Sequence, residues 1–235
     1  MMNQAIAKLA NGDNLAEKEM TQVMDMLLDG MAEPAQIGAF ITALRMKGET
    51  VEEIAGAAKA MQSKTQKINI DGPLINIDRD EINVEEETIL DTHGNGANGT
   101  QTFNISTATA FVVAAAGLQV AKYGNWALSR QCGSADVLIR LGVNLDINHA
   151  DVENCIQDIG IGFLYAPLFH GAMKAVAKPR QQVGLRSIFN LLGPLANPTG
   201  ATTQVLGIYD PRQTEKMAQV LQKLGTRQAF VVCGE

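Results

Sequence analysis

From about residue 88 to residue 235, short apolar runs alternate with helical patterns, and this constrains the fold more than any other feature of the chain. The pattern predicts a strand near Thr88–Asp91 and a helix from about Ser106 to Ala116. It then predicts a strand over Leu118–Lys122, a helix from Ala135 to Leu141 with Ser134 as its cap, and a helix from Asp151 to Gly160. A strand at Ile161–Leu164 follows, with helices near Gly171–Lys178 and Ser187–Leu191, a strand at Thr203–Ile208, a helix at Thr214–Leu224 and a last strand at Ala229–Val232. Parallel neighbours need a crossover between them, so strand–helix alternation implies a mainly parallel sheet with helices on both faces. Ligands of such sheets bind at the carboxyl ends of strands, which singles out the loops after Leu90 and after Ala121.

The first sixty residues read differently. Ile6 and Leu9 share a helix face, and Met20, Val23, Met24, Leu27 and Leu28 recur at helical spacing up to Gly30. Pro34 opens a helix with the stripe Ile37, Phe40, Ile41, Leu44, which Gly48 ends. Thr50 followed by Glu53 is a capping box for a fourth helix reaching about Met61, whose Ala55, Gly56, Ala57, Ala58 and Ala60 would admit a neighbouring helix closely. Between Lys64 and Glu87 isoleucines alternate with polar residues around Gly72-Pro73, as in short hairpin strands or an extended connector. The division expected is a helical domain over 1–66, a connector over 67–87 and an α/β domain over 88–235.

The stretch Leu90–Thr107 joins an apolar run to a helix through Gly94, Gly96 and Gly99, and ends in Asn104, Ser106 and Thr107. Glycines let backbone approach a ligand, and a helix start favours an anion. A phosphate-binding loop and an ordinary glycine-rich turn capped by Ser106 or Thr107 both fit, since the spacing is neither a dinucleotide fingerprint nor a Walker loop. With a net charge of −6 and no dense Lys/Arg run, a general nucleic-acid groove is not expected. No apolar stretch is long enough to span a membrane, no basic-then-apolar leader opens the chain, and Cys132, Cys155 and Cys233 make neither a disulfide framework nor a zinc spacing. A reducing cytoplasm fits best.

Four motifs in order then carry a resemblance: Thr102-Phe-Asn-Ile-Ser-Thr107, Lys122-x-Gly-Asn125, Cys132-Gly-Ser-Ala-Asp-Val-Leu138 and Phe189-Asn-Leu-Leu-Gly-Pro-Leu195. With the helical opening Pro34-Ala-Gln-Ile37 and Leu44-Arg-Met-Lys-Gly-Glu49, they make the whole chain resemble the anthranilate phosphoribosyltransferase family. More distantly it is similar to the pyrimidine nucleoside phosphorylases.

The resemblance implies a fold and a reaction. The fold is an N-terminal helical domain plus a mainly parallel α/β domain, nucleoside phosphorylase/phosphoribosyltransferase-like. The reaction is transfer of phosphoribosyl from phosphoribosyl pyrophosphate to anthranilate, in tryptophan biosynthesis, by a magnesium-using, dimeric cytoplasmic enzyme. Gly94, Gly96, Asn98, Thr102, Asn104, Ser106, Thr107, Lys122 and Ser134 are implied around phosphoribosyl pyrophosphate, with Ser106 near Mg2+. Asn125, His170, Arg180 and Gly193 are implied around anthranilate, Arg180 being suited to its carboxylate. No residue is implied in covalent or acid–base catalysis. Read singly, each has a plainer alternative: Ser106 and Thr107 as caps, Lys122 as a solvated charge at a strand end, His170 as a packed or surface histidine, Arg180 as part of a solvated face with Lys174, Lys178 and Arg186, and Asp136 as a helix-start carboxylate.

The sequence departs from the family where substrate would lie. The family's Gly-Thr-Gly-Gly-Asp-Gly is Gly94-Asn-Gly-Ala-Asn-Gly99 here, and its Lys-His-Gly-Asn-Arg is Lys122-Tyr-Gly-Asn-Trp126. Ala97 adds a Cβ beside the expected phosphate, Asn98 removes a charge, and Tyr123, Trp126, Arg130 and Gln131 would alter the cleft. The family's later Asp-Glu pair for magnesium lies past the position of Glu235. The expectation is a C-terminally truncated form with impaired activity and an exposed sheet edge. Alternatives are a non-catalytic relative binding a phosphate-rich ligand or a partner protein, and a transferase for another aromatic acceptor.

Overall fold

The computed structural model describes residues 1–68, 70, 89–94, 103–126 and 133–234. Its elements in chain order are α1 (Met2–Ala10), α2 (Glu17–Leu28), α3 (Pro34–Lys47), α4 (Val51–Ser63), β1 (Ile89–Gly94), α5 (Ile105–Ala115), β2 (Gln119–Gly124), α6 (Ser134–Arg140), α7 (His149–Ile159), β3 (Ile161–Tyr165), α8 (Ala166–Phe169), α9 (Lys174–Val183), α10 (Phe189–Leu192), β4 (Thr203–Gly207), α11 (Thr214–Lys223) and β5 (Gln228–Val232). Short 3-10 turns at Gly171–Met173 and Gly193–Leu195 precede α9 and follow α10. The chain forms two compact units. One holds Met1–Gln66, His170–Ala196 and Arg212–Gly225, and the other holds Lys67–Phe169, Asn197–Pro211 and Thr226–Glu235. The sequence division takes 88–235 as one α/β segment, whereas α9, α10 and α11 pack with the opening helices.

The helical unit is built on the expected stripes. Met20, Val23, Met24, Leu27 and Leu28 of α2 and Ile37, Phe40, Ile41 and Leu44 of α3 are buried. Gly48 ends α3 at φ +90°, a conformation that favours glycine. The capping box at α4 is closed in both directions: Glu53 N donates to Thr50 Oγ1 at 3.2 Å and Thr50 N to Glu53 Oε2 at 2.9 Å. Glu53 does more than cap. Fully buried, it also accepts from Leu15 N and from Lys47 Nζ, each at 2.9 Å, while Lys47 donates its other hydrogens to Asn14 Oδ1 and Gly48 O. The small residues of α4 let α2 approach, since a Cβ at Gly56 would stand 2.4 Å from Glu17 O.

In the α/β unit the described strands are all parallel, in the order β3-β2-β1-β4-β5. Leu90 lies beside Val120, so Asp91, His93, Ala121 and Tyr123 share one face of the sheet and Thr92 and Lys122 the other. The first face packs Ala121 and Tyr123 on Val152 and Ile156 of α7, together with Leu164 and Phe169. The second face lies under α5, where Thr92 Oγ1 donates to Ser106 O at 2.8 Å. A smaller core of Ala135, Leu138 and Leu145 rests on Phe163 and Tyr165 of β3. Strand β4 pairs with the opposite side of β1 from β2, so the sheet's switch point lies between β1 and β4. There the strands end in the pair Gly94 and Gly207, without side chains.

Two strand ends differ from the sequence reading. Strand β1 runs on to Gly94 and β2 to Gly124, so Gly94, Tyr123 and Gly124 belong to strands rather than to loops. The cause is tertiary pairing: β4 continues beside His93 and Gly94, and β3 beside Tyr123 and Gly124. Of the expected connector only 67, 68 and 70 are described, and Ile68 N donates to Pro198 O at 3.2 Å. The rest of that reading, 69 and 71–87, lies outside the described residues. β5 is an edge strand of the described sheet, with Phe230 60% exposed.

Candidate active site

The carboxyl end of β1 meets the start of α5, and the cap there is Asn104 rather than Ser106 or Thr107. Asn104 Oδ1 accepts from Thr107 N at 3.1 Å and from Ser106 Oγ at 3.2 Å. The helix begins at Ile105, which places both hydroxyls inside its first turn. A second helix start converges on the first. The cap of α6 is Gly133, whose N–H donates to Asp136 Oδ2 at 2.8 Å, and this leaves Ser134 as the first helical residue with its hydroxyl outside the cap. Thr107 Oγ1 donates to Ser134 Oγ at 2.9 Å, and Asn104 Nδ2 approaches the same oxygen at 3.5 Å. Gly94 completes the group, because a Cβ there would stand 4.0 Å from Ser106 Oγ. Gly94, Asn104, Ser106, Thr107 and Ser134 thus gather where a helix N-terminus and a bare strand end favour an anion. Gly96, Asn98 and Thr102 lie outside the described residues, as do Ala97, Arg130 and Gln131.

Lys122 is not the solvated strand-end charge of its plainer reading. It is 3% exposed, and its ammonium donates to Thr92 O at 2.6 Å and to Tyr123 O at 3.1 Å. Burial pushes its pKa down and the nearby Asp91 carboxylate pulls it back. Asp91 is itself buried, which raises its pKa, while Lys122, Asn197 and the Tyr123 N–H oppose the rise. His93 stacks on Tyr123 at 5.9 Å between centroids, and burial together with the Lys122 charge depresses its pKa to about 3. The ends of β1 and β2 thus bury polar side chains on both faces of the sheet, Asp91, His93 and Tyr123 on one and Lys122 on the other. The sequence reading places Tyr123 in the cleft. It is packed in the core against α7 instead, because β2 continues through it.

Asn125 follows β2. Its carbonyl accepts from Ala135 N at 3.4 Å and its side-chain oxygen from Trp126 N at 2.8 Å. The Trp126 indole N–H donates to the Tyr165 hydroxyl, with the rings edge to face at 6.2 Å.

The other expected acceptor residues belong to the helical unit. His170 is buried, and its Nδ1 lies 2.9 Å from Thr65 Oγ1. Burial brings its pKa down to about 4, partly offset by a hydrogen bond to the Ala196 backbone. Arg180 is half-buried, with its guanidinium 4.7 Å over the Phe189 ring, and burial lowers its pKa. Phe189 opens α10 and Ala196 ends the turn after it, so His170 and Arg180 are both fastened to the segment that carries Gly193. Arg180 thus does not belong to a solvated face, while His170 is packed, as one of its plainer readings has it.

Sequence reasoning passes over Asp91, Thr92, His93 and Thr65. A carboxylate inside an apolar run predicted as a strand is the available signal for Asp91. Thr65 has none, because its role depends on a residue far along the chain. Among the described residues no group of three or more His, Cys, Asp or Glu gathers to hold a metal. No helix among them is long and apolar enough to cross a membrane.

The helical bundle and the parallel sheet correspond to the two domains of one glycosyl transferase family. Residues 86–235 match the family model described as the glycosyl transferase family a/b domain, and residues 3–65 match the helical bundle domain of the same family. The chain belongs to the anthranilate phosphoribosyltransferase family. It is 56% identical over its whole length to the anthranilate phosphoribosyltransferase of Geotalea uraniireducens, of which it covers 67%, and 57% identical to that of Geobacter sulfurreducens, of which it also covers 67%. The crystal structure of this enzyme from Thermus thermophilus matches 98% of the chain at a TM-score of 0.86 and 39% identity, with 66% of that chain covered. The Saccharomyces cerevisiae enzyme in complex with phosphoribosyl pyrophosphate and Mg matches the whole chain at 0.85 and 28% identity, again with 66% covered. The chain thus spans about two thirds of the length of these relatives.

Proposed function

We propose that the chain transfers the phosphoribosyl group of phosphoribosyl pyrophosphate to anthranilate. In this reaction the amine nitrogen attacks the anomeric carbon, the bond from that carbon to the pyrophosphate oxygen breaks, and the amine loses a proton. Positioning and charge stabilisation carry such a transfer, with little covalent work for the protein. The observation that supports the reading most is the convergence of the α5 start, Thr107 and Ser134 beside Gly94. It offers backbone N–H groups, hydroxyls and unobstructed backbone to a pyrophosphate. Lys122 adds positive charge beneath this group while fixing the ends of β1 and β2.

On the acceptor side Asn125, His170, Arg180 and Gly193 are assigned to anthranilate. Stacking on Phe189 occupies the face of the Arg180 guanidinium and leaves its N–H edge for a carboxylate. His170 is neutral at physiological pH, so it serves as a hydrogen-bonding group and not as a charge. Ser106 offers an oxygen to magnesium, consistent with a hard cation held largely by substrate phosphates. When bound, the ion neutralises charge on the leaving pyrophosphate. A homodimer through the helical unit belongs to the same reading, and light scattering that returns twice the chain mass would support it.

Calorimetric titration of anthranilate tests the acceptor site. Binding that disappears in Arg180→Ala supports it, and no anthranilate binding at all favours a non-catalytic relative. Trp126 packed on Tyr165 at the ends of β2 and β3 favours one further reading, a different aromatic acceptor, which turnover across a panel of aromatic amines would reveal. Tyr123, being buried, does not support it.

A further inference from the structure

Thr65 lies just beyond the end of α4 and belongs to neither set of substrate-contacting residues assigned above. Its hydroxyl has one hydrogen and stands between two partners: it donates to Met61 O at 2.7 Å, and His170 Nδ1 is 2.9 Å away. The hydroxyl and the ring tautomer are therefore coupled: with the hydrogen on Met61 O the ring proton sits on Nδ1, and with the hydrogen turned to Nδ1 the ring proton sits on Nε2. The Ala196 backbone is a second hydrogen-bond partner of the ring. His170 sits where the chain returns to the helical unit, ahead of α9, and a 3-10 turn follows it directly.

We propose that Thr65 is a positioning residue for the acceptor side of the reaction, holding the His170 imidazole in one orientation and one tautomer. The inference rests on the assignment of His170 to anthranilate. Its physical content is narrower: a hydroxyl anchored on the last turn of α4 sets the state of a ring more than a hundred residues away. The threonine methyl cannot do this, so the effect follows the hydroxyl and not the side-chain volume.

The test compares Thr65→Val and Thr65→Ser in the full chain, with circular dichroism confirming that each folds. Ring nitrogen signals of His170 are read by NMR, and KM for each substrate is measured beside kcat. In Thr65→Val the ring signals move, and KM for anthranilate rises roughly fivefold to twentyfold, the scale of one lost hydrogen bond. KM for phosphoribosyl pyrophosphate stays within about twofold. Thr65→Ser restores both. Ring signals unchanged in folded Thr65→Val overturn the proposal, and so does an equal loss for both substrates. If wild-type protein neither binds nor consumes anthranilate while the ring signals still move, the acceptor reading of His170 fails and the Thr65–His170 linkage stands.

Discussion

Lys122 Nζ reaches across the sheet to donate to the carbonyl of Thr92 at 2.6 Å, which ties the end of β2 to the end of β1 from inside the protein. Thr92 in turn donates through Oγ1 to Ser106 O, so the buried ammonium is two hydrogen bonds from the helix start expected to hold pyrophosphate. Lys122→Met keeps the stem and removes the ammonium from the Thr92 and Tyr123 carbonyls. Leaving two buried carbonyls without their donor costs about 1–3 kcal/mol. Urea unfolding of the variant should show a loss on that scale, and Lys122→Arg should not restore it, because the rigid guanidinium does not fit a pocket closed by two carbonyls. A stability equal to wild type would show that the lysine acts only on ligand.

Ser134 receives the Thr107 hydroxyl, and Ser134→Ala strips Thr107 Oγ1 of that acceptor. The variant should lose about 1 kcal/mol of stability. Its KM for phosphoribosyl pyrophosphate should rise about fivefold or more while KM for anthranilate stays unchanged. Initial-rate measurements in both substrates check this, and a rise confined to anthranilate would contradict the assignment.

At Gly56, α4 lies close against the backbone of α2. A Cβ there meets Glu17 O at 2.4 Å, and that backbone carbonyl cannot turn aside. Gly56→Ala should therefore lower stability by about 1–3 kcal/mol, although alanine is the better helix former. A rise in melting temperature would mean that the two helices are less closely packed than described.

Acid should weaken the fold through its buried histidines. His93 and His170 have folded pKa values of about 3 and about 4 against an ordinary 6.5. Between these limits the unfolded chain binds protons that the folded chain refuses. Their contribution is complete above pH 6.5 and is lost as pH falls towards 4, at about 1.4 kcal/mol per pH unit for each histidine. Asp91, with its raised pKa, acts in the opposite sense, so the test is differential. His93→Gln should flatten the dependence of stability on pH between 6.5 and 4, and an unchanged slope would contradict the depressed pKa.

The parallel α/β order, the four opening helices and the Thr50–Glu53 box are legible in the sequence, because each rests on a periodicity or a local pairing. The ends of β1 and β2 are not, since β3 and β4, far along the chain, extend them through Gly94 and Gly124. Asn104 displaces Ser106 and Thr107 as the cap because asparagine, serine and threonine in one short run compete for a single position that local sequence cannot award. Tyr123 reads as a cleft residue from its motif neighbours, and the strand period turns it inward. The return of His170–Ala196 and Arg212–Gly225 to the helical unit leaves no local signature, and the Thr65–His170 contact depends on that return.

The most direct measurement is the consumption of anthranilate by the purified chain, followed by its fluorescence with magnesium and phosphoribosyl pyrophosphate, beside pyrophosphate release. One pyrophosphate per anthranilate consumed is expected, with the rate falling by about 10²-fold or more in Arg180→Ala. Phosphoribosyl pyrophosphate that binds while no anthranilate-dependent pyrophosphate appears would contradict the transferase reading.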